Sequence, residues 1–336
     1  MPALRLRVET ARLPFSAPFR IAGHVFEEQE VVLVTLDDGV QQGRGEASGV
    51  FYLDDDAAHM VSVIEARRRD IEGGTDRDAL QQLLPAGGAR NALDCALWEL
   101  EARRANRPVW EMAGLAPPRA LTTTFTLGAE DPEVMAEGAR RYAQARALKL
   151  KLTGETALDL ARVTAVREAR PDAWIGVDAN QGYHSEQLPA LIAGLVDLRV
   201  ALVEQPLARG HESELQGFKS PLPLVADESC LALADVAGLV GRFSMVNIKL
   251  DKCGGLTEAL AMARAARSLG LGVMVGNMVG SSLAMAPAFL VGQLCDVVDL
   301  DGPTFLARDR NPGVTYSQGT IWCDEQVWGR QGRRTS

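Results

Sequence analysis

The sequence lacks the clusters of cysteine and histidine that mark zinc sites and disulfide frameworks. Its five cysteines are widely spaced and form no CxxC pair, and its four histidines form no pair at ligand spacing. A zinc hydrolase, a Ser/His triad enzyme and a disulfide-stabilised secreted fold are therefore not favoured. No GxGxxG segment follows a predicted strand and no GxxxxGKS/T segment occurs, so nucleotide binding is not indicated either.

Long apolar runs and an excess of positive charge are also missing. The 336 residues carry a net charge of −9, which argues against nucleic acid or an anionic membrane as the main partner. The N-terminus lacks the apolar stretch of a signal peptide, and no run approaches the ~20 apolar residues of a membrane span. With 47% hydrophobic residues, we expect a cytoplasmic globular protein. A monomer and a homo-oligomer are both compatible with the sequence.

The first 120 residues predict an α+β domain. Alternating or β-rich segments at 4–10, 30–36 and 40–46 predict three strands, and three helices follow at 55–69, 76–84 and 89–106. Residues 15–24 contain Pro and Gly without periodicity, which predicts a mobile loop. Residues 313–322 predict a hairpin that returns to this domain, so we assign 1–120 and 310–336 to it and 121–309 to a second domain.

The second domain repeats one pattern. A short run rich in Val, Ile and Leu ends in a polar residue, and this recurs every 22 to 27 residues. The polar residues are Lys149 with Lys151, Asp178, Glu204, Asp227, Lys249, Asn277, and Asp299 with Asp301. One strand and one helix need about that length, and a strand at 122–127 brings the count to eight. The pattern therefore predicts a closed parallel α/β barrel whose strand ends meet at one mouth.

Three carboxylates in succession predict a metal site at this mouth. A single Asp at a strand end is more often the N-cap of the next helix than a ligand. Asp178, Glu204 and Asp227 would repel one another strongly unless a cation joined them. Oxygen ligands without His or Cys favour Mg²⁺ over Mn²⁺.

The lysines predict acid–base chemistry on both sides of that metal. Lys149 and Lys151 lie at i and i+2 and face the same way, so each is expected to lower the pKa of the other. Lys249 follows four strand units later, on the opposite side of an eight-stranded barrel. Lys252, in the DKCGG turn, receives a secondary role. One lysine would remove the proton α to a carboxylate, and the other would reprotonate the resulting enediolate from the opposite face.

Several segments resemble the enolase superfamily in its muconate-lactonizing subgroup. They are LKLKL, VDANQGY, VEQP, ADES and NIKLDKCGGLTEA, with GRGEAS and ARNALDCALWEL in the first domain. The resemblance covers nearly the whole chain and implies an α+β capping domain over a (β/α)7β TIM-like barrel. It also implies that Asp178, Glu204 and Asp227 bind one Mg²⁺ per subunit. Lys151 and Lys249 would be the acid/base pair, and Lys149 would contact the substrate carboxylate.

Within that subgroup, LDKCGGLTEAL and VDLDGPTFLA resemble the dipeptide epimerases of L-Ala-D/L-Glu type. This implies a dipeptide whose ammonium is held by Asp299 and Asp301, with Thr126, Asn277 and Met278 as further contacts, and a role in recycling cell-wall peptides. A salt bridge or a cap is the alternative for the two aspartates. A muconate cycloisomerase, an o-succinylbenzoate synthase and a metal-dependent binding protein without turnover remain alternatives for the whole chain.

One segment departs from the pattern of the Ala-Glu epimerases. That resemblance implies an arginine in a first-domain loop for the Glu side chain. The corresponding segment reads FRIAGHVF, with Gly23 or His24 at that place and Arg20 nearby. We assign Arg20 and His24 to substrate binding, and an apolar or other dipeptide is an open alternative.

Overall fold

A three-stranded antiparallel sheet begins the chain. The structure is a computed structural model that describes residues 3–21 and 24–330, without the side chains of residues 21 and 24. The strands are β1 (Arg5–Ile21), β2 (His24–Asp37) and β3 (Gln42–Ala47), in the order β1-β2-β3. The helices that follow are α1 (Ala57–Ala66), α2 (Arg68–Glu72), α3 (Arg77–Leu83), α4 (Gly88–Ala105) and α5 (Val109–Met112). The predicted α+β architecture is confirmed.

Helix α4 lies directly on β3 because two glycines allow the contact. A Cβ atom at Gly43 would stand 2.0 Å from the carbonyl oxygen of Ala96, and one at Gly45 would stand 1.9 Å from that of Ala92. Between the two glycines, Arg44 forms an ion pair with the buried carboxylate of Glu99 at 2.6 Å. The GRGEAS segment therefore fixes the sheet against the helix and leads the chain towards the barrel.

The prediction of a mobile loop at 15–24 is wrong for the part that the structure describes. Strands β1 and β2 continue into one long hairpin, with a register shift between Pro14 and Phe19. Proline lacks an N–H group and is tolerated where a strand is paired on one side only, and β1 is an edge strand. Gly23 and the side chain of His24 lie outside the described residues.

The far end of this hairpin rests on the barrel. The N–H of Ala307 donates to the carbonyl oxygen of Pro14 at 2.8 Å, and that of Ala129 donates to the carbonyl oxygen of Arg20 at 3.2 Å. The ring centroid of Phe19 lies 4.6 Å from that of Phe305. The hairpin thus covers the mouth of the barrel.

Eight parallel strands form the barrel sheet in the described part of the chain. They are β5 (Thr124–Leu127), β6 (Ala147–Lys151), β7 (Trp174–Asp178), β8 (Leu202–Glu204), β9 (Leu224–Ala226), β10 (Met245–Ile248), β11 (Gly272–Val275) and β12 (Val297–Val298). The connections carry α6 (Pro132–Arg141), α7 (Thr156–Ala169), α8 (Leu188–Asp197), α9 (Leu250–Cys253), α10 (Leu256–Ser268) and α11 (Ser282–Gly292). Short 3-10 helices, Glu212–Leu215 and Leu233–Leu239, lie in the connections that follow β8 and β9. The predicted (β/α)7β topology is confirmed, and none of the described helices is long and apolar enough to span a bilayer.

Side chains rather than a backbone ladder close the barrel between β12 and β5. Thr123 Oγ1 accepts from the N–H of Leu300 at 3.0 Å, and Asp301 Oδ2 accepts from the N–H of Thr126 at 2.7 Å. Among the described residues these two strands share no backbone pairing. The closure therefore depends on an aspartate that was predicted to bind substrate.

The C-terminal hairpin pairs with a strand that precedes the barrel, and residues after the hairpin contact the first domain. Strands β13 (Thr315–Ser317) and β14 (Thr320–Trp322) pair with each other and with β4 (Leu121–Thr122), which precedes the barrel. Farther on, Trp328 donates its indole N–H to the carbonyl oxygen of Arg44 at 3.0 Å. The domain limits near residues 120 and 310 stay predictions.

Candidate active site

Three buried carboxylates meet at the C-terminal ends of adjacent strands. Asp178 ends β7, Glu204 ends β8, and Asp227 directly follows β9. Each offers an oxygen, and these three atoms lie within 4.8 Å of one another. Adjacent parallel strands of a barrel end at the same mouth, so the barrel sets the spacing of these three side chains.

The three carboxyl groups differ in their affinity for protons. Burial, followed by the negative charge of Asp178, raises the pKa of Glu204 to about 8. Burial alone would also raise the pKa of Asp178 and Asp227. The ammonium groups of Lys151 and Lys249, respectively, outweigh it and hold both pKa values well below the ordinary range. The cluster therefore needs positive charge to keep all three groups ionised.

The site also contains buried oxygen atoms that lack donors. Among the described residues, Glu204 Oε2, Glu228 Oε2 and Asn180 Oδ1 have no hydrogen-bond partner. Lys149 Nζ stands 2.8 Å from Glu204 Oε2, so the two form an ion pair without hydrogen-bond geometry. A buried carboxylate oxygen that accepts no hydrogen bond is costly. This donor set, all oxygen and excess negative, fits a hard divalent cation such as Mg²⁺.

Two lysines approach the carboxylates from different sides. Lys151 belongs to β6, Lys249 follows β10, and three strands separate β6 from β10 in the sheet. Lys151 Nζ donates to Asp178 Oδ2 at 2.7 Å, and Lys249 Nζ donates to Asp227 Oδ2 at 2.6 Å. Both line one cavity of about 100 Å³, far larger than a void for a single water molecule. The structure thus brings together the two lysines predicted as the acid/base pair.

Lys149 faces the same way as Lys151, but the expected lowering of its pKa is wrong. Burial alone would lower the pKa. The carboxylates of Asp299, Glu204 and Asp178 outweigh this effect and place the pKa well above its ordinary value. Lys149 Nζ lies 2.9 Å from Asp299 Oδ2 and 3.1 Å from Asp178 Oδ2. The ammonium group of Lys149 is therefore suited to bind a carboxylate rather than to act as a base.

Lys252, to which the sequence gave a secondary role, lies beneath the carboxylates. Its ammonium group donates to Asp227 Oδ1 and to the backbone oxygen of Asp227, both at 2.5 Å, and to the backbone oxygen of Asn247 at 3.0 Å. It is 2% exposed. A signal was available, since the chain has only five lysines and Lys252 follows Lys249 by three residues.

The two aspartates after β12 lie beside Lys149 and β5. Asp299 Oδ1 accepts from Thr124 Oγ1 at 2.5 Å, while Oδ2 accepts from Lys149. Asp301 accepts from the N–H of Thr126 at 2.7 Å. Burial, followed by the charge of Asp299, raises the pKa of Asp301 to about 7. The pair is buried and already engaged, and it lies outside the lining of the cavity shared by Lys151 and Lys249.

The other predicted substrate contacts divide between two places. Asn277 and Met278 line the cavity with the two lysines. Asn277 also donates through Nδ2 to the carbonyl oxygen of Asp299 at 2.6 Å. Arg20 and Thr126 line a neighbouring pocket instead, where Arg20 pairs with Glu130 at 3.0 Å. The structure therefore does not bring Arg20 to the lysines, and the side chain of His24 lies outside the described residues.

Both domains match models of one family. Residues 4–114 match the N-terminal domain of mandelate racemase and muconate lactonizing enzyme, and residues 134–318 match the enolase C-terminal domain-like model. The chain belongs to the mandelate racemase and muconate lactonizing enzyme family of the enolase superfamily. The recognition of that superfamily from the sequence is confirmed.

The relatives of this chain include epimerases and proteins with homology to them. The chain is 41% identical over 309 residues to an L-Ala-D/L-Glu epimerase of Escherichia coli K12, covering 92% of this chain and 96% of that one. A crystal structure from Agrobacterium tumefaciens, with bound sodium and L-Ala-L-Glu, is 38% identical with a TM-score of 0.92, covering 97% of this chain and all of that one.

A dipeptide epimerase from Methylococcus capsulatus, complexed with Mg and L-Arg-D-Lys, is 30% identical with a TM-score of 0.89 over 96% of this chain and 97% of that one. The relatives include two epimerases of dipeptides, and this chain is an isomerase that acts on amino acid derivatives.

Proposed function

We propose that this enzyme is a Mg²⁺-dependent dipeptide epimerase that inverts the C-terminal residue of its substrate by 1,1-proton transfer. The observation that carries the proposal is the placement of Lys151 and Lys249. They border one cavity from strands separated by three others, with the carboxylate triad between them. Binding alone needs no pair of opposed bases, so this geometry favours turnover over a binding protein.

Asp178, Glu204 and Asp227 would hold the metal ion, one per subunit, as the clustered oxygen donors suggest. When bound, Mg²⁺ supplies positive charge to the substrate carboxylate, which makes the weakly acidic α-proton removable. Lys149 adds a fixed positive charge beside Glu204 and Asp178. Its raised pKa keeps it protonated, so it can bind the carboxylate without competing for the α-proton.

The two remaining lysines would move the proton. Lys151 takes it from, or returns it to, one face of the α-carbon, and Lys249 does the same on the other face. Each ammonium group is now bonded to a carboxylate of the triad, at 2.7 Å for Lys151 and 2.6 Å for Lys249. Charge neutralisation of that carboxylate would release the lysine to act as a base.

Asp299 and Asp301 would hold the dipeptide ammonium, with Thr126, Asn277 and Met278 as further contacts. Arg20 and His24 belong to this proposal only as residues of the hairpin, because the structure pairs Arg20 with Glu130. A cytoplasmic role in the recycling of cell-wall peptides is part of the same proposal and is supported by the family likeness. These roles distinguish the enzyme from a cycloisomerase or an o-succinylbenzoate synthase, whose substrates lack an ammonium group.

Replacement of one lysine tests the two-face mechanism. Lys249→Ala should lower epimerisation by about 10²–10⁴-fold. The variant should still exchange the α-proton of the one epimer that Lys151 serves, since that base is intact. Proton NMR in D₂O measures both quantities on each epimer, and calorimetry measures Mg²⁺ binding. Lys219→Ala, at an exposed lysine, is the matched control and should keep both activities. Equal loss of exchange from both epimers with Mg²⁺ still bound would contradict the proposal.

The ammonium site has a separate test. Asp299 also holds Lys149, so its replacement would disturb any enzyme on this scaffold. Asp301→Asn keeps an acceptor for the N–H of Thr126 and removes only charge, and it is the cleaner variant. We expect a loss of 10-fold or more in kcat/KM for a dipeptide, because a charge-assisted hydrogen bond is lost. Unchanged kcat/KM would favour a substrate without an ammonium group.

A further inference from the structure

The cavity that Lys151 and Lys249 share has an apolar wall built from both domains. The capping domain contributes four phenylalanines, and the segment after β11 contributes two further apolar side chains. They are Phe15, Phe19, Phe26, Phe51, Met278 and Val279. Such a wall gives a hydrocarbon side chain apolar contact on the side of the cavity that faces it.

Ring contacts hold this wall in place. Phe26 and Phe51 meet edge to face at 5.4 Å, and Phe51 meets Tyr52 in the same way at 5.3 Å. Phe19 packs on Phe305 of the barrel at 4.6 Å. Residues of both domains therefore hold these rings against one another.

This cavity offers an acidic side chain neutral donors, among them the buried hydroxyl of Tyr52, but among the described side chains it offers no free cation. Among the side chains that the structure describes, its cationic residues are Lys151 and Lys249, and both are bonded to carboxylates of the triad. Two arginines of the hairpin form ion pairs elsewhere, Arg12 with Glu28 and Arg20 with Glu130. The other charged groups that line the cavity, Asp227 and Glu228, would repel a further carboxylate.

We infer that the cavity takes the side chain of the residue that is inverted, and that this side chain is aliphatic or aromatic rather than acidic. The inference rests on the proposed epimerase function. In that reaction the α-carbon lies between Lys151 and Lys249, and its side chain extends into the space that both lysines border. Phe15, Phe19, Phe26 and Phe51 are then the residues that determine specificity.

Kinetics on three substrates test the inference with the Mg²⁺-loaded enzyme. For L-Ala-L-Leu and L-Ala-L-Phe, kcat/KM should exceed that for L-Ala-L-Glu by roughly 10-fold or more, since an apolar site discriminates by desolvation. A preference for L-Ala-L-Glu would overturn the inference and leave the epimerase function intact. Absence of α-proton exchange and inversion with all three would instead count against the proposed function on which the inference rests.

An introduced cation provides a second test. Phe26→Arg should move the ratio of kcat/KM for L-Ala-L-Glu to that for L-Ala-L-Leu by roughly 10- to 100-fold towards Glu. Val25→Arg is the matched control, because Val25 is the adjacent residue of β2, is 50% exposed and does not line the cavity. It should leave the ratio unchanged.

The ratio is measured within each variant, so it does not depend on the fraction of folded protein. Phe26→Leu, which keeps the wall apolar, should retain the preference for L-Ala-L-Leu. An unchanged ratio in Phe26→Arg, or an equal shift in Val25→Arg, would overturn the assignment of this wall.

Discussion

Charge compensation at single residues holds the candidate site together. Asp178 lies beside Lys149 and Lys151, and Asp227 lies beside Lys249 and Lys252, with Nζ–oxygen distances of 2.5 to 3.1 Å. The lysines differ in what else they contact. Lys252 donates to Asp227 and Asn247 and does not line the cavity, whereas Lys151 and Lys249 border it. Lys252 is therefore placed for structural support, whereas Lys151 and Lys249, the proposed acid/base pair, face the cavity.

Replacement of Lys252 should reveal that structural role. Lys252→Met keeps much of the side-chain length but removes three hydrogen bonds to Asp227 and Asn247. We expect Mg²⁺ affinity to fall by about 10- to 100-fold. The free energy of unfolding should fall by about 3 kcal/mol, because Asp227 loses a buried ionic partner. Calorimetric titration and urea unfolding measure the two effects. Lys219→Met is the control, and unchanged Mg²⁺ affinity in Lys252→Met would contradict the role.

The sequence identified strand-end residues better than residues that approach the site from elsewhere. Asp178, Glu204 and Asp227 each follow an apolar run, and the run predicts both the strand and the position of its last side chain. Lys252 sits one turn after its strand, in α9, and folds back beneath Asp227. The hydrophobic pattern does not predict that Lys252 reaches Asp227, because this contact depends on how α9 packs against the barrel.

At the scale of elements, the β1–β2 hairpin is the part that the sequence predicted least well. Pro18 contributed to the prediction of a loop at 15–24, yet an edge strand tolerates proline. The hairpin then gains its order from the barrel. Besides two backbone hydrogen bonds, it receives ring contacts from Phe305 to Phe19 at 4.6 Å and to Phe15 at 6.4 Å. Such tertiary contacts override local propensity and are invisible to a pattern within one segment.

Loss of those ring contacts should loosen the cover over the mouth. Phe305→Ala removes two aromatic pairs, each worth about 0.5–1.5 kcal/mol. We expect KM to rise by roughly 2- to 10-fold with a smaller change in kcat, and amide exchange at residues 12–20 to accelerate. Trp322→Ala is the control. Trp322 lies on β14, away from the mouth, and its ring forms a comparable pair with Phe289 of α11. Unchanged exchange at 12–20 would show that the backbone contacts suffice.

For the whole molecule, buried carboxylates join the capping domain to the barrel. Glu46 of β3 accepts from Ser281 through its N–H at 2.6 Å and its hydroxyl at 2.5 Å. Asp251 of α9 accepts the N–H groups of Ser48 and Gly49 on one oxygen, at 2.8 and 3.1 Å. The cavity wall is drawn from both domains, so these contacts also fix the distance between the phenylalanines and the lysines.

The contact of Asp251 with the capping domain makes the free energy of unfolding depend on pH. Burial raises the pKa of Asp251 to about 7, from an ordinary value of 3.8. The native state therefore binds this proton more tightly than the unfolded state does. The resulting stability is present below about pH 4 and is lost as the pH rises to about 7, with a slope of at most about 1.4 kcal/mol per pH unit.

Asp251→Asn should remove this dependence, because its amide oxygen can still accept from Ser48 and Gly49 and never ionises. We expect the variant to match the parent near pH 4 and to exceed its free energy of unfolding increasingly up to about pH 7. Urea unfolding at fixed Mg²⁺ between pH 4 and 8 measures the difference, and Asp197→Asn at an exposed aspartate is the control. A difference that stays constant with pH would mean that Asp251 is ionised in the native protein throughout this range, so that its two hydrogen bonds, rather than protonation, offset its burial.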